Sequence, residues 1–76
     1  MDLIEQVRTE GLAKGRAEGL AEGLRAAVAA TLAARGMTLG ELGRARLAAC
    51  ADVTTLTAWV TSAVTAATEA DVFGAR

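Results

Sequence analysis

Apolar residues recur along this chain at helical intervals. Leu20, Leu24, Val28 and Leu32 follow one another at four-residue steps in the first half, with Leu12 two steps earlier. Residues four apart lie on neighbouring turns of a helix, so such a series forms a ridge. With no proline to interrupt it, this pattern predicts one long helix that runs to Arg35. Asp2 with Glu5 reads as a capping box that opens it, and Gly36 supplies the stop. Thr38 with Glu41 reads as a second capping box, for a helix from about Leu39 to Cys50. Asp52 is the expected cap of a third helix, from Val53 to Ala67. Thr68 with Asp71 caps a final short turn ending at Gly74.

The stretch Val53-Thr54-Thr55-Leu56-Thr57-Ala58-Trp59-Val60-Thr61 is rich in β-branched residues and has the composition of a strand. Its spacing argues otherwise. Val53, Leu56, Trp59, Val60, Ala63, Val64 and Ala67 fall three and four residues apart, which is one face of a helix. The expected fold is therefore all-α. A long glycine-striped helix over 1–35 precedes a compact cluster of two to three short helices over 36–76, and the whole assembles as an oligomer.

Residues 10–25 divide into four tetrads: Glu-Gly-Leu-Ala, Lys-Gly-Arg-Ala, Glu-Gly-Leu-Ala and Glu-Gly-Leu-Arg. Each puts glycine second, at Gly11, Gly15, Gly19 and Gly23. A glycine inside a helix costs about 1 kcal/mol relative to alanine, so the four together cost roughly 3–4 kcal/mol, a large share of what a small domain has. Close approach of a second helix to the glycine ridge is the compensation available; the competing reading is a flexible, glycine-punctuated linker. A four-residue period drifts by about 40° per repeat, so the ridge slants around the helix and suits a steep crossing better than a long left-handed coiled coil.

Size reinforces association. A chain of 76 residues buries only about 60% of its unfolded surface and is hard to stabilise alone. Its single cysteine, Cys50, cannot form an intrachain disulfide, and without histidine the usual zinc site cannot be assembled. Cys50 reads as a small buried hydrophobe. Trp59 has two roles open to it: an aromatic anchor for a partner, or a core residue packed on Leu42, Leu47 and Leu56.

Charge narrows the classes further. Eight basic and nine acidic residues are interspersed, which leaves no footprint for nucleic acid or an anionic membrane. The segment Val53 to Ala67 lacks lysine, arginine, asparagine and glutamine, so it has nothing with which to read bases or hold phosphate. Arg44 and Arg46 are expected to be solvated or paired with Glu41. The longest uncharged runs, 26–34 and 53–68, fall short of the roughly 20 apolar residues that span a bilayer. Met1-Asp2-Leu3-Ile4-Glu5 does not have the form of a secretory signal, so a cytoplasmic location is expected. General base duty would fall to carboxylates, but Glu41 and Asp52 read as helix caps. No base sits beside the threonines or serine to make a nucleophile. No catalytic, metal or cofactor residue is expected, and the chain is not expected to be an enzyme.

The segment from Arg35 to Phe73 resembles the C-terminal tail of recombination-promoting nucleases, transposase-like proteins of the PD-(D/E)XK superfamily. Gly36, Arg44, Arg46, Leu56 and Trp59 carry the likeness, with the Glu-Gly tetrads similar to the segment that joins nuclease domain to tail. The metal-binding Asp and Glu-x-Lys of those nucleases have no counterpart here. The resemblance implies oligomerisation and regulation of a larger nuclease rather than DNA cleavage. The expected partners are copies of this chain, as a homodimer or higher oligomer, and the tail of a full-length nuclease relative. The expected interface is Gly11, Gly15, Gly19 and Gly23 with Leu12, Leu20, Leu24, Val28 and Leu32, together with Trp59. A different class of reading is a docking module for an unrelated protein, presented by the C-terminal helical cluster.

Overall fold

Four helices form in the order the spacing predicts, and the computed structural model describes residues 3–74 of the chain. They are α1 (Leu3–Ala34), α2 (Glu41–Ala49), α3 (Val53–Thr65) and α4 (Glu69–Phe73). The expected Asp2–Glu5 capping box lies outside the described residues. At 1.5 Å per residue α1 is about 48 Å long, which accounts for the long dimension of a molecule measuring 52 × 22 × 19 Å.

Gly36 stops α1 as its position predicts. It takes φ +74°, in the left-handed region that only glycine enters without a Cβ penalty. Gly36 N–H then donates to Ala33 O at 3.0 Å and Met37 N–H to Leu32 O at 2.8 Å. This pair of bonds is a Schellman motif, and it satisfies carbonyls the helix end would otherwise leave open. The reversal also sets Met37 against the core that contains Leu32.

The core is built where the second half of α1 meets α3. Ala21, Val28 and Leu32 of α1 are buried with Leu56 and Ala63 of α3, Leu47 of α2, Ala66, and Val72 of α4. Leu24, Trp59, Val60 and Phe73 close its edges. The helical cluster expected over 36–76 is thus completed by the second half of α1. Helix prevails over strand in α3 because its apolar stripe has a mate only at that spacing. Val64, expected on the same stripe, is exposed; it sits about a quarter turn away from Leu56 and Ala63.

The caps are right at two of the three testable starts. Asp52 Oδ2 accepts from Thr55 N–H at 2.9 Å and from Thr55 Oγ1 at 2.6 Å. At α4, Thr68 Oγ1 accepts from Asp71 N–H at 3.3 Å while Asp71 Oδ2 accepts from Thr68 N–H at 3.1 Å, a complete capping box. The expected Thr38–Glu41 box does not form. Gly40, not Thr38, is the N-cap of α2, and its side of the helix has no side-chain cap of its own. Met37 and Leu39 are both drawn against the core, which keeps this stretch out of the helix until Glu41.

Two outcomes follow. Gly36→Ala forces a Cβ into the left-handed region and lowers stability by about 1–2 kcal/mol, read from urea unfolding. The Thr55 side-chain and backbone hydrogen bonds hold the Asp52 carboxyl below its usual range. Because its folded pKa is depressed, the unfolded chain binds the extra proton, and the cap's contribution is complete above the ordinary aspartate value. It disappears as pH falls from about 3.9 through the lowered folded value. Acid titration by circular dichroism shows this component in the natural chain and loses it in Asp52→Ala.

Candidate association surface

The glycine tetrads are helical, and residues 11–20 of α1 lie outside the chain's own core. Every residue from Gly11 to Leu20 is exposed. A Cβ built on Gly11, Gly15, Gly19 or Gly23 would meet no atom within 4 Å, so nothing among the described residues explains the glycines sterically. Leu12 and Leu20 stand in the same arm with 57% and 53% of their surface open to solvent.

The apolar seam expected to continue this surface does not stay on one face. A four-residue step advances about 40° around the helix, so from Leu20 to Leu32 the direction turns through a third of a circle. Leu20 points away from the cluster and Leu24 lies at its edge. Val28 and Leu32, 0% and 2% exposed, sit inside the chain's own core. Those two residues are not available to a partner, and the candidate interface loses them for that reason.

The exposed side of the second half of α1 carries Ala26, Ala29 and Ala33 instead. They form one wall of an open groove of ≈ 810 Å³ whose other lining includes Met37, Leu39 and Leu47. The groove exists because α2 stands off from α1, whereas α3 packs along it. α2 is held chiefly by its ends. Arg25 of α1 donates from Nη1 to the carbonyl of Cys50, the C-cap of α2, at 2.7 Å. Glu69 of α4 accepts from Gly40 N–H at the other end at 2.6 Å. Each pairs a charge with the helix terminus of opposite partial charge. Arg35 does the same for α3, reaching Ala63 O in its last turn at 2.7 Å.

These three tertiary caps were not legible from spacing, because each joins residues 25 or more positions apart. One trace of them exists in the sequence: Gly43, buried on α2. A Cβ there would stand 2.6 Å from Glu69 Oε2, so the glycine leaves room for the carboxylate that caps its helix.

Trp59 is half-buried and belongs to the edge of the core, with its ring edge-on to Phe73 at 4.8 Å and 89°. Arg46 lies over the other ring at 5.4 Å from the Phe73 centroid, a cation–π contact. Arg44 donates to Leu39 O at 2.9 Å. Of the neighbours expected for Trp59, Leu47 and Leu56 are in the core, but Leu42 is 86% exposed. α2 buries Gly43 and Leu47 on its inner side, and Leu42 is turned out by its place beside Gly43. Phe73, which spacing did not single out, takes the role assigned to Leu42. Cys50 is a half-buried free thiol.

Among the described residues no three histidine, cysteine, aspartate or glutamate side chains gather as a metal site, and no helix is long and apolar enough to cross a membrane. No protein-family model, curated protein or solved structure matches the chain. The arrangement itself therefore carries the functional argument: a bare helical arm, a stand-off groove, and polar ties at helix ends.

The tie at Gly43 is testable as a double-mutant cycle. In a Glu69→Ala background, Gly43→Ala stabilises by about 1 kcal/mol through helix propensity. In the natural chain the same change displaces the capping carboxylate, so the gain is absent or reversed in urea unfolding. An equal gain in both backgrounds would remove the cap from the account.

Proposed function

We propose that this chain is a non-catalytic self-association module whose contact surface is the exposed stretch 11–20 of α1. By its resemblance to a recombination-promoting nuclease tail, it also engages the tail of a full-length relative and modulates that protein. The observation that carries the first part is the complete exposure of a helical arm holding three of the four tetrad glycines together with Leu12 and Leu20. Glycines that cost roughly 1 kcal/mol each have no compensating contact among the described residues. A second helix laid on the ridge would supply it through close van der Waals packing, the logic of small-xxx-small pairs.

The interface in this reading consists of Gly11, Gly15, Gly19 and Gly23 with Leu12 and Leu20, flanked by Leu24. Trp59 contributes to the chain's own core edge rather than to the arm. A second reading, docking of an unrelated protein on the C-terminal cluster, is favoured by one observation: Leu42 is 86% exposed beside Arg46 and Phe73 in an open depression.

Oligomeric mass separates the two. Sedimentation equilibrium over a wide concentration range, with helicity followed by circular dichroism, shows a helical oligomer that loses helicity on dilution if the arm pairs. Gly15→Leu with Gly19→Leu blocks close approach and changes the mass seen by light scattering. An unchanged mass in the double variant would remove the glycine ridge from the interface. Failure of the chain to co-purify with a full-length nuclease relative would remove the second part alone.

A further inference from the structure

We propose that α2 is a latched strap, which swings out as a unit on its two short connections while α1, α3 and α4 stay packed. The motion belongs to a single chain and does not depend on self-association.

Three observations meet here. The first is how little of α2 is packed. Seven of its nine residues are exposed. The two buried ones are Gly43 and Leu47, and Gly43 has no side chain to bury. Among the described residues, Leu47 is thus the one side chain that α2 places in the core. α3, by contrast, buries Leu56 and Ala63 completely and sets Trp59 and Val60 against the same core.

The second is the nature of the remaining ties. Gly40 N–H donates to Glu69 Oε1 at 2.6 Å, Arg25 Nη1 donates to Cys50 O at 2.7 Å, and Arg46 lies 5.4 Å from the Phe73 centroid. The Gly40 bond is exposed and the Arg25 bond is only partly buried. Water can take the place of each lost partner, so breaking them has a small net cost.

The third is that the neighbouring helix ends close without α2. Gly36 and Met37 satisfy the carbonyls of Ala33 and Leu32 at the end of α1. Asp52 caps α3 through Thr55. The connections that must bend, Thr38 to Gly40 and Cys50 to Ala51, lie between those fixed points and α2. The strap can therefore leave without unwinding either neighbour. Glu69 is the latch, since its carboxylate bonds to Gly40 and occupies the space that a Cβ on Gly43 would need. Release takes Leu47 out of the core and widens the groove that Leu47 lines together with Ala29, Leu32 and Ala33.

The test is native-state hydrogen exchange of the full chain, followed by NMR in rising sub-denaturing urea. Protection of Ala45 to Leu47 is expected to fall roughly tenfold or more below that of Val60 to Ala63. Its urea dependence is expected to be slight, because opening one short helix exposes little surface. Val60→Ala lowers protection in α3 roughly fivefold or more and leaves α2 unchanged, since the open strap keeps the α1–α3 core. Glu69→Ala lowers protection in α2 roughly fivefold through loss of the cap. Equal protection and equal urea slopes in the two helices would mean that α2 opens only when the chain unfolds, and would overturn the proposal. A Val60→Ala loss shared by α2 would overturn it as well. Protection of α2 unmoved by Glu69→Ala would overturn the assignment of Glu69 as the latch.

Discussion

Everything in this molecule depends on the packing of the second half of α1 against α3. Val28 and Leu32 on one side and Leu56 and Ala63 on the other are almost completely removed from water, and at about 25 cal/mol per Å² of apolar surface they are the main source of stability available. Alanine and valine supply little area per residue, so the core has few strong contacts. The remaining elements attach to this pair by cheaper means. α4 adds Val72 and Phe73 to its edge, and α2 contributes Leu47 but otherwise hangs from charged caps at its two ends.

That division of labour explains why α2 leaves a groove. A helix whose nine residues include two arginines, a glutamate, a glycine and an outward leucine has too little apolar surface to close onto α1. A guanidinium at its C-terminus and a carboxylate at its N-terminus fix it at a distance instead. Such ties depend on position more than on area, and exposed charge contacts contribute modestly in water. The groove is thus left open, with Ala29, Met37 and Leu39 lining it beside Glu22, Arg25 and Arg44.

The part of the fold governed by local rules was legible in the sequence. Gly36 announced the end of α1, Asp52 and Thr68 announced the starts of α3 and α4, and the spacing of Leu56, Trp59 and Val60 outweighed the β-branched composition around them. The errors came where tertiary contact outranked a local signal. Thr38 and Glu41 have the right spacing for a capping box, yet Leu39 is pulled to the core and Glu69 takes the N-terminus of α2. Leu42 looked like a core residue because leucine usually is one, but its neighbour Gly43 faces inward. For the candidate surface, the tetrads marked the arm correctly as helical. They did not reveal that the leucine column rotates into the chain's own core by Val28, although a 40° drift per repeat is implicit in a four-residue period.

The same drift gives α1 two halves with different obligations. A helix is costly to start and cheap to extend, and the half held by α3 provides the start. Helix then propagates backwards through the tetrads against four glycine penalties, assisted by i, i+4 charge pairs: Glu10 before Lys14 in the favourable order and Lys14 before Glu18 in the reverse one. Residues 11–20 of the arm are exposed along their whole length, the condition that places a segment at the low end of the local stability range. An element in that condition gains most from a partner, because each turn ordered by contact also recovers the helical bonds of the turns before it. In the proposed pairing, a repeat that weakens a helix in isolation and leaves its backbone open on one side would couple folding of the arm to its association. Under the proposed self-association, the glycines that look like a defect in a single chain are the positions where two backbones would meet.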